Sequence, residues 1–234
     1  MGKRIIAQRR GKGPSVYRAH SHRHLAEIKY SKGITENTEA TIIDIVNDPG
    51  RNTPVAQLGF KDASKTYTLV SEGMKTGDII SIGAASGIKA GNIMPVGKIP
   101  EGTPIFNIEV RPNDGGKLVR SSGTYATISS HDINKTIILL PSKQFKQLNP
   151  DCRATIGIAA GGELKTKPFV KAGKKWHIMH SRGKLYPRTS ARSMNAVDHK
   201  FGGSNLGVAK SVSRNASPGR KVGSIASKRT GRKR

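Results

Sequence analysis

Short runs of apolar and β-branched residues, each about six long and each closed by a turn, fill the middle of this 234-residue chain. Residues 41–46 (TIIDIV) run into the turn Asn47-Asp48-Pro49-Gly50, and strands are expected again over 55–60, 65–70 and 78–83. Turn signals such as Ser71-Glu72-Gly73 and Lys75-Thr76-Gly77-Asp78 separate them. A break rich in glycine and proline, from Gly91-Asn92 to Pro104, follows. The pattern then resumes over 105–110, 117–120, 125–130, 136–140, 144–148 and 154–159. Residues 136–140 (TIILL) are continuously apolar or β-branched, as in a strand buried on both faces. Short strands at this spacing, with no amphipathic helix between them, predict an all-β fold of two small barrels in tandem. Small barrels close their own edges, which lets such short stretches fold.

The ends follow no such pattern. Residues 1–34 hold no helical or alternating period beyond a few residues, and 164–234 are rich in Gly, Ser, Lys and Arg. Phe169, Trp176, Ile178, Met179, Leu185 and Tyr186 recur at no useful interval there. The expected domains are therefore a basic N-terminal extension (1–34), two barrels (35–100 and 101–163) and a basic C-terminal extension (164–234). Both extensions are expected to be irregular and to order only against a partner.

Charge sharpens this division. Residues 35–163 hold 13 Lys/Arg and 13 Asp/Glu, a net of zero. Residues 1–34 carry nine Lys/Arg against Glu27 alone, and 164–234 carry 19 against Asp198 alone. The formal excess of +26 thus lies wholly in the two ends. An acidic polymer is the partner such ends call for, because each cation that meets a phosphate releases condensed counterions. One cysteine, Cys152, forms no internal disulfide and argues for no oxidising compartment. With no long apolar run and no signal-peptide core in MGKRIIAQRRGKGP, a soluble cytoplasmic protein is expected.

Few motifs offer other chemistry. His20, His22 and His24 alternate, but a fourth metal ligand is lacking, so contact with nucleic acid is the favoured reading and no metal is expected. Asp198-His199 has the look of half a catalytic dyad, yet no nucleophile elbow accompanies it. In GIAAGG (157–162) the glycine spacing of a phosphate loop is present, but Glu163 stands where lysine is required. Arg51 and Arg153 lie beside strands and turns, suited either to phosphate or to a solvated surface.

One string is far more specific. Met194-Asn195-Ala196-Val197-Asp198-His199 followed by Gly202-Gly203 resembles the C-terminal signature of the universal large-subunit ribosomal protein L2 family. GNIMPVGKIPEGTP (91–104), Gly115-Gly116-Lys117 with Ser122-Gly123, and DCRATIG (151–157) match as well. KPFVKAG (167–173), GRKVG (219–223) and ASKRTG (226–231) are similar to the archaeal and eukaryotic branch. The resemblance implies an OB-like barrel, then an SH3-like barrel, with extensions threaded into large-subunit rRNA. It implies a structural, non-enzymatic role in subunit assembly and association near the peptidyl transferase centre. The implied partners are rRNA, neighbouring ribosomal proteins and the small subunit, with no membrane and no small-molecule substrate. No cofactor is implied, structural magnesium belonging to the rRNA.

Arg51 and Arg153 match family arginines expected at rRNA. The same expectation covers Arg9, Arg10, Arg18, Arg23, Lys117 and Arg120, and the three histidines of the alternation. In the C-terminal extension it covers Lys167, Lys171, Lys174, Lys175, Arg182, Arg188 and Arg192, then Arg220, Lys221, Lys228 and Arg229. Met194, Asn195, Asp198, His199, Lys200, Gly202 and Gly203 are the positions implied near the catalytic RNA. The chain departs from the pattern at Lys200, where the family has proline, and at Ser204, where it has a third glycine. Ser190-Ala191 stand for the usual Arg-Gly, leaving Arg188 or Arg192 as the substitute cation. Rival readings are a free-standing RNA chaperone and an RNA-acting enzyme using Asp198-His199.

Overall fold

The computed structural model describes residues 6–31, 37–204 and 210–228. The chain divides into two compact units, one of residues 21–170 and one of residues 1–20 with 171–234.

The first unit is all-β. Its strands are β1 Thr38–Val46, β2 Val55–Phe60, β3 Lys65–Leu69, β4 Ile79–Ile82, β5 Ile93–Pro95, β6 Pro104–Phe106, β7 Ala126–Asp132, β8 Lys135–Leu139, β9 Phe145–Leu148 and β10 Arg153–Ile156. They form one sheet in the order β3-β2-β1-β4-β5-β10-β6-β7-β8-β9. A bulge between Ile42 and Asp44 resets the β1–β2 register, so that Ile42 is buried while Ile43 lies outside over Gly59. The strand expected over 117–120 is reduced to a single bridge between Leu118 and Ile108. β5 was not expected at all, since it falls within the glycine- and proline-rich break.

That strand explains how the two halves join. Neighbouring residues of a strand face opposite ways. Ile93 packs into a first core with Ile42, Leu58, Val70 and Ile80. Met94 packs into a second with Ile105, Ile108, Ile128 and Ile138. β5 pairs in parallel with β4 and antiparallel with β10, which in turn pairs with β6. The change of core thus comes at 93/94, ahead of the break expected at 100/101.

A third cluster of Ile28, Val55, Leu69, Phe106 and Ala159 bridges the two. Ile28 is 1% exposed and Tyr30 is 5% exposed, so residues 26–31 are a strap in the core rather than a free arm. Tyr30 donates its hydroxyl to the Asn107 carbonyl at 2.6 Å and shares a 2.6 Å hydrogen bond with Thr155. Burial, with Glu109 nearby, pushes the Tyr30 phenol well above its ordinary value.

The second unit holds α1 Ile6–Lys12, α2 Ala172–Ser181 and a small parallel pair, β11 Ser211–Val212 with β12 Ser224–Ile225. Irregular chain was expected here. Its two segments pack together at Gly183, where a Cβ would stand 2.7 Å from the Ala19 nitrogen. No residue of α2 is buried, and among the described residues no helix is long and apolar enough to cross a membrane.

Candidate nucleic-acid interface

Folding sorts the charge further than the linear sequence does. The unit of residues 1–20 and 171–234 carries 23 Lys/Arg against Asp198 alone, a net of +22. The unit of residues 21–170 carries 18 against 14 Asp/Glu, a net of +4. A unit of 84 residues so charged repels itself unless an acidic polymer neutralises it. Of the cations expected at RNA in the first of these, Arg9, Arg10, Arg18, Lys171, Lys174, Arg188, Arg192, Arg220 and Lys228 are exposed. Lys175, Arg182 and Lys221 are half-buried, Lys175 with its ammonium 5.2 Å from the centroid of the Tyr186 ring. Arg229 lies outside the described residues. Arg188 and Arg192 are both presented to solvent, Arg192 from the 3-10 turn Ala191–Ser193.

In the other unit, His22, Arg23, Lys117 and Lys167 are exposed, Lys117 beside Asp114 at 3.5 Å. Burial raises the Asp114 carboxyl, but the amides of Arg111, Val110 and Gly116 together with Lys117 outweigh it and hold it below its usual range.

Three arginines expected at RNA make hydrogen bonds within this unit. Arg153 is 7% exposed; its Nη2 and Nε meet the Glu109 carboxylate at 2.9 and 3.3 Å, and its Nη1 donates to the Ser31 carbonyl at 2.8 Å. Arg120 donates to the Ile28 carbonyl at 3.0 Å and to the Gly116 carbonyl at 3.1 Å. Burial and the neighbouring Arg51 lower its pKa from the ordinary arginine value. Arg51 donates to buried Asp48 at 2.8 Å and to the Ala26 carbonyl at 3.2 Å. Carbonyls of the strap at 26, 28 and 31 thus each receive a guanidinium, which satisfies backbone that no strand partner covers. Sequence cannot tell an inward arginine from an outward one. The available signal was the alternation Ala26, Ile28, Tyr30 against Glu27, Lys29, which marks an element with one buried face.

The signature loop is a folded object. Asp198 and His199 donate their amides to the Asn195 carbonyl at 2.9 and 3.2 Å, and Gly203 closes onto the Met194 carbonyl at 3.0 Å. Gly202 is buried, and a Cβ there would run into the Asn195 and Met194 carbonyl oxygens, while Gly203 has φ +81°. The glycine pair is therefore demanded by close approach at one position and by a left-handed backbone at the next. Lys200 leaves this closure intact, with its ammonium 5.9 Å from the centroid of the Phe201 ring. The Phe201 ring tip would stand 2.9 Å from a Cβ at Gly223, so the loop is seated against the β11–β12 segment.

His199 has a defined chemistry here. The Phe201 amide donates to its Nδ1 at 3.1 Å. Nδ1 is then an acceptor, and the neutral ring carries its proton on Nε2 as a hydrogen-bond donor. The dyad arrangement in which Nδ1–H donates to the Asp198 carboxylate is incompatible with this bond. Nitrogen-detected NMR of the chain with the imidazole neutral is expected to find His199 as the Nε2–H tautomer; an Nδ1–H tautomer would revive the dyad.

The remaining candidates have local contacts of their own. His20 bonds His180 through Nε2 and Nδ1 at 3.1 Å, and His24 packs against Gly50. Among the described residues no group of three or more His, Cys, Asp or Glu could hold a metal ion. Cys152 is fully buried, and burial with nearby Glu109 pushes its thiol up to about 11, so it is no nucleophile. After β10, Gly162–Lys165 form only a 3-10 turn, which lacks the helix N-terminus of a phosphate loop.

Known proteins resemble the chain over its whole length. The RNA-binding N-terminal domain of Ribosomal Proteins L2 matches residues 3–82, and the C-terminal domain of Ribosomal Proteins L2 matches residues 89–222. The chain is similar to the large ribosomal subunit protein uL2 of Methanococcus vannielii, 51% identical over 241 residues and covering all of both chains. It is 49% identical to the protein of that name from Methanothermobacter thermautotrophicus, again over all of both chains.

Proposed function

Since the chain belongs to the universal large-subunit ribosomal protein L2 family, in its archaeal-type branch, we propose that it is a structural, non-enzymatic constituent of the large ribosomal subunit that anchors itself in rRNA through its basic unit. The observation that carries this reading is the segregation of charge, +22 on a unit with a single acidic residue beside a body of +4. Neutralising phosphates on several RNA segments at once lets such a unit hold them together where they would repel, which is how it supports assembly. The body adds a rigid platform of balanced charge, suited to shape recognition of folded RNA and to neighbouring ribosomal proteins.

The signature loop belongs to the basic unit, and its folded state suits it to a fixed place near the peptidyl transferase centre. There His199 acts as a hydrogen-bond donor through Nε2–H toward an RNA oxygen, positioning rather than moving a proton. No cofactor of the chain's own is needed, magnesium remaining with the rRNA. Subunit association would follow from the body facing the small subunit, in cytoplasmic ribosomes.

Affinity purification of the tagged chain from cells tests this. One chain per large subunit, with large-subunit rRNA dominating the recovered nucleic acid, is the expected result. A free pool bound to diverse RNAs would favour the chaperone instead.

A further inference from the structure

Helix α2 (Ala172–Ser181) is unusual in burying none of its residues while carrying the chain's only tryptophan. Trp176 and His180 are one helical turn apart, and their rings stack at 4.7 Å with an interplanar angle of 13°. His180 is held in turn by His20, through the 3.1 Å hydrogen bond between ring nitrogens and a ring separation of 4.6 Å. Three rings therefore form a ladder, and Trp176 is its terminal rung. His177 meets the indole edge-on at 5.0 Å. Despite these neighbours Trp176 keeps 41% of its surface in solvent.

A part-exposed indole on a helix that buries none of its residues belongs to no hydrophobic core. Its one inner face is fixed by His180, so its orientation is set before any ligand arrives, which lowers the entropy cost of binding. The flanking residues are Lys171, Lys174 and Lys175, and α2 contains no acidic side chain. Lysines close in sequence to a solvent-reaching aromatic ring match a nucleotide, whose base stacks while its phosphate meets ammonium groups.

We propose that Trp176 is a stacking platform for one unpaired nucleobase, with His180 and His20 as its rigid backing and the adjacent lysines as phosphate contacts. This rests on the RNA-binding reading above and deepens it. It separates α2 from the remaining basic surface, which engages phosphates without needing an unpaired base. Sequence-specific discrimination is not required, because every base offers a π-face.

A single tryptophan makes the site observable by itself. The full-length chain is titrated with a labelled, unstructured oligoribonucleotide of mixed sequence, following label anisotropy and tryptophan emission together. Saturating RNA is expected to quench the emission. Trp176→Ala is expected to weaken binding about 5- to 150-fold, and Trp176→Phe to retain most of the affinity. Far-UV circular dichroism should be unchanged in both, since the position is exposed.

Undiminished emission with normal anisotropy, and Trp176→Ala within twofold of the parent, would overturn the platform and leave RNA binding standing. Absence of any anisotropy change would sink the RNA reading and the platform with it.

Discussion

Raising salt from about 50 to about 200 mM is expected to weaken binding of this chain to large-subunit rRNA about 10³- to 10⁵-fold. The size of the effect follows from the unit that carries 23 Lys/Arg against one acidic residue. Each phosphate neutralised returns a condensed counterion to solution, and that release is opposed when the solution is already rich in ions. About six to ten such contacts suffice for the predicted loss. The exposed cations of the unit exceed that number: Arg9, Arg10, Lys12, Arg18, Lys171, Lys174, Lys184, Arg188, Arg192, Lys200, Lys210, Arg214, Arg220 and Lys228 all reach solvent. A filter-binding series across salt measures it directly. A log–log slope shallower than about −2 would mean that only two or three phosphates are engaged. The basic unit would then not be the anchor.

Glu109→Ala is expected to destabilise the all-β unit by about 3–5 kcal/mol, because it strands a buried guanidinium. Glu109 is fully buried and accepts from the Arg153 side chain, from the Arg153 amide at 2.8 Å and from the Gly115 amide at 3.0 Å. Arg153 also stands 5.3 Å from the Tyr30 ring centroid and holds Ser31. Removing the carboxylate therefore loosens the strap at 26–31 as well as the loop at 113–115. Far-UV circular dichroism during heating should show a fall in Tm of about 10 °C or more. Replacing both partners, Glu109→Met with Arg153→Met, is expected to recover only part of the loss, since the uncompensated charge is gone while the Gly115 and Arg153 amides lose their acceptor. A single-variant loss below about 1 kcal/mol would show that the network is incidental.

The strands were legible where one face is buried and the turn chemistry is strong. β2 appears at 55–60 as its alternation predicts, and β1, β3, β7 and β8 differ from expectation only at their ends. β5 was hidden because three residues ending in Pro95 carry no period, and their partners in β10 lie some 60 residues away. The strap was hidden by its charge: Glu27 and Lys29 mask the alternating Ile28 and Tyr30. In the other unit, α2 escapes notice because it buries nothing and so needs no apolar stripe.

The interface was legible in part. Net charge located the basic ends, but only folding shows that they form one unit apart from the balanced body. Arg51, Arg120 and Arg153 carry the same charge as Arg9 or Arg188, and only the presence of Asp48, Glu109 and the strap carbonyls turns them inward. The signature glycines had a visible pattern and an invisible reason, which is the carbonyl of Asn195 against Gly202 and the left-handed backbone of Gly203.

Ultraviolet crosslinking in cells, with both crosslinked peptides and RNA positions identified, tests the central claim most directly. Crosslinks concentrated in peptides of 6–20 and 171–228, joined to a few fixed sites in large-subunit rRNA, are the predicted result. Crosslinks falling mainly on the strands of 38–156, or scattered over many unrelated RNAs, would contradict it.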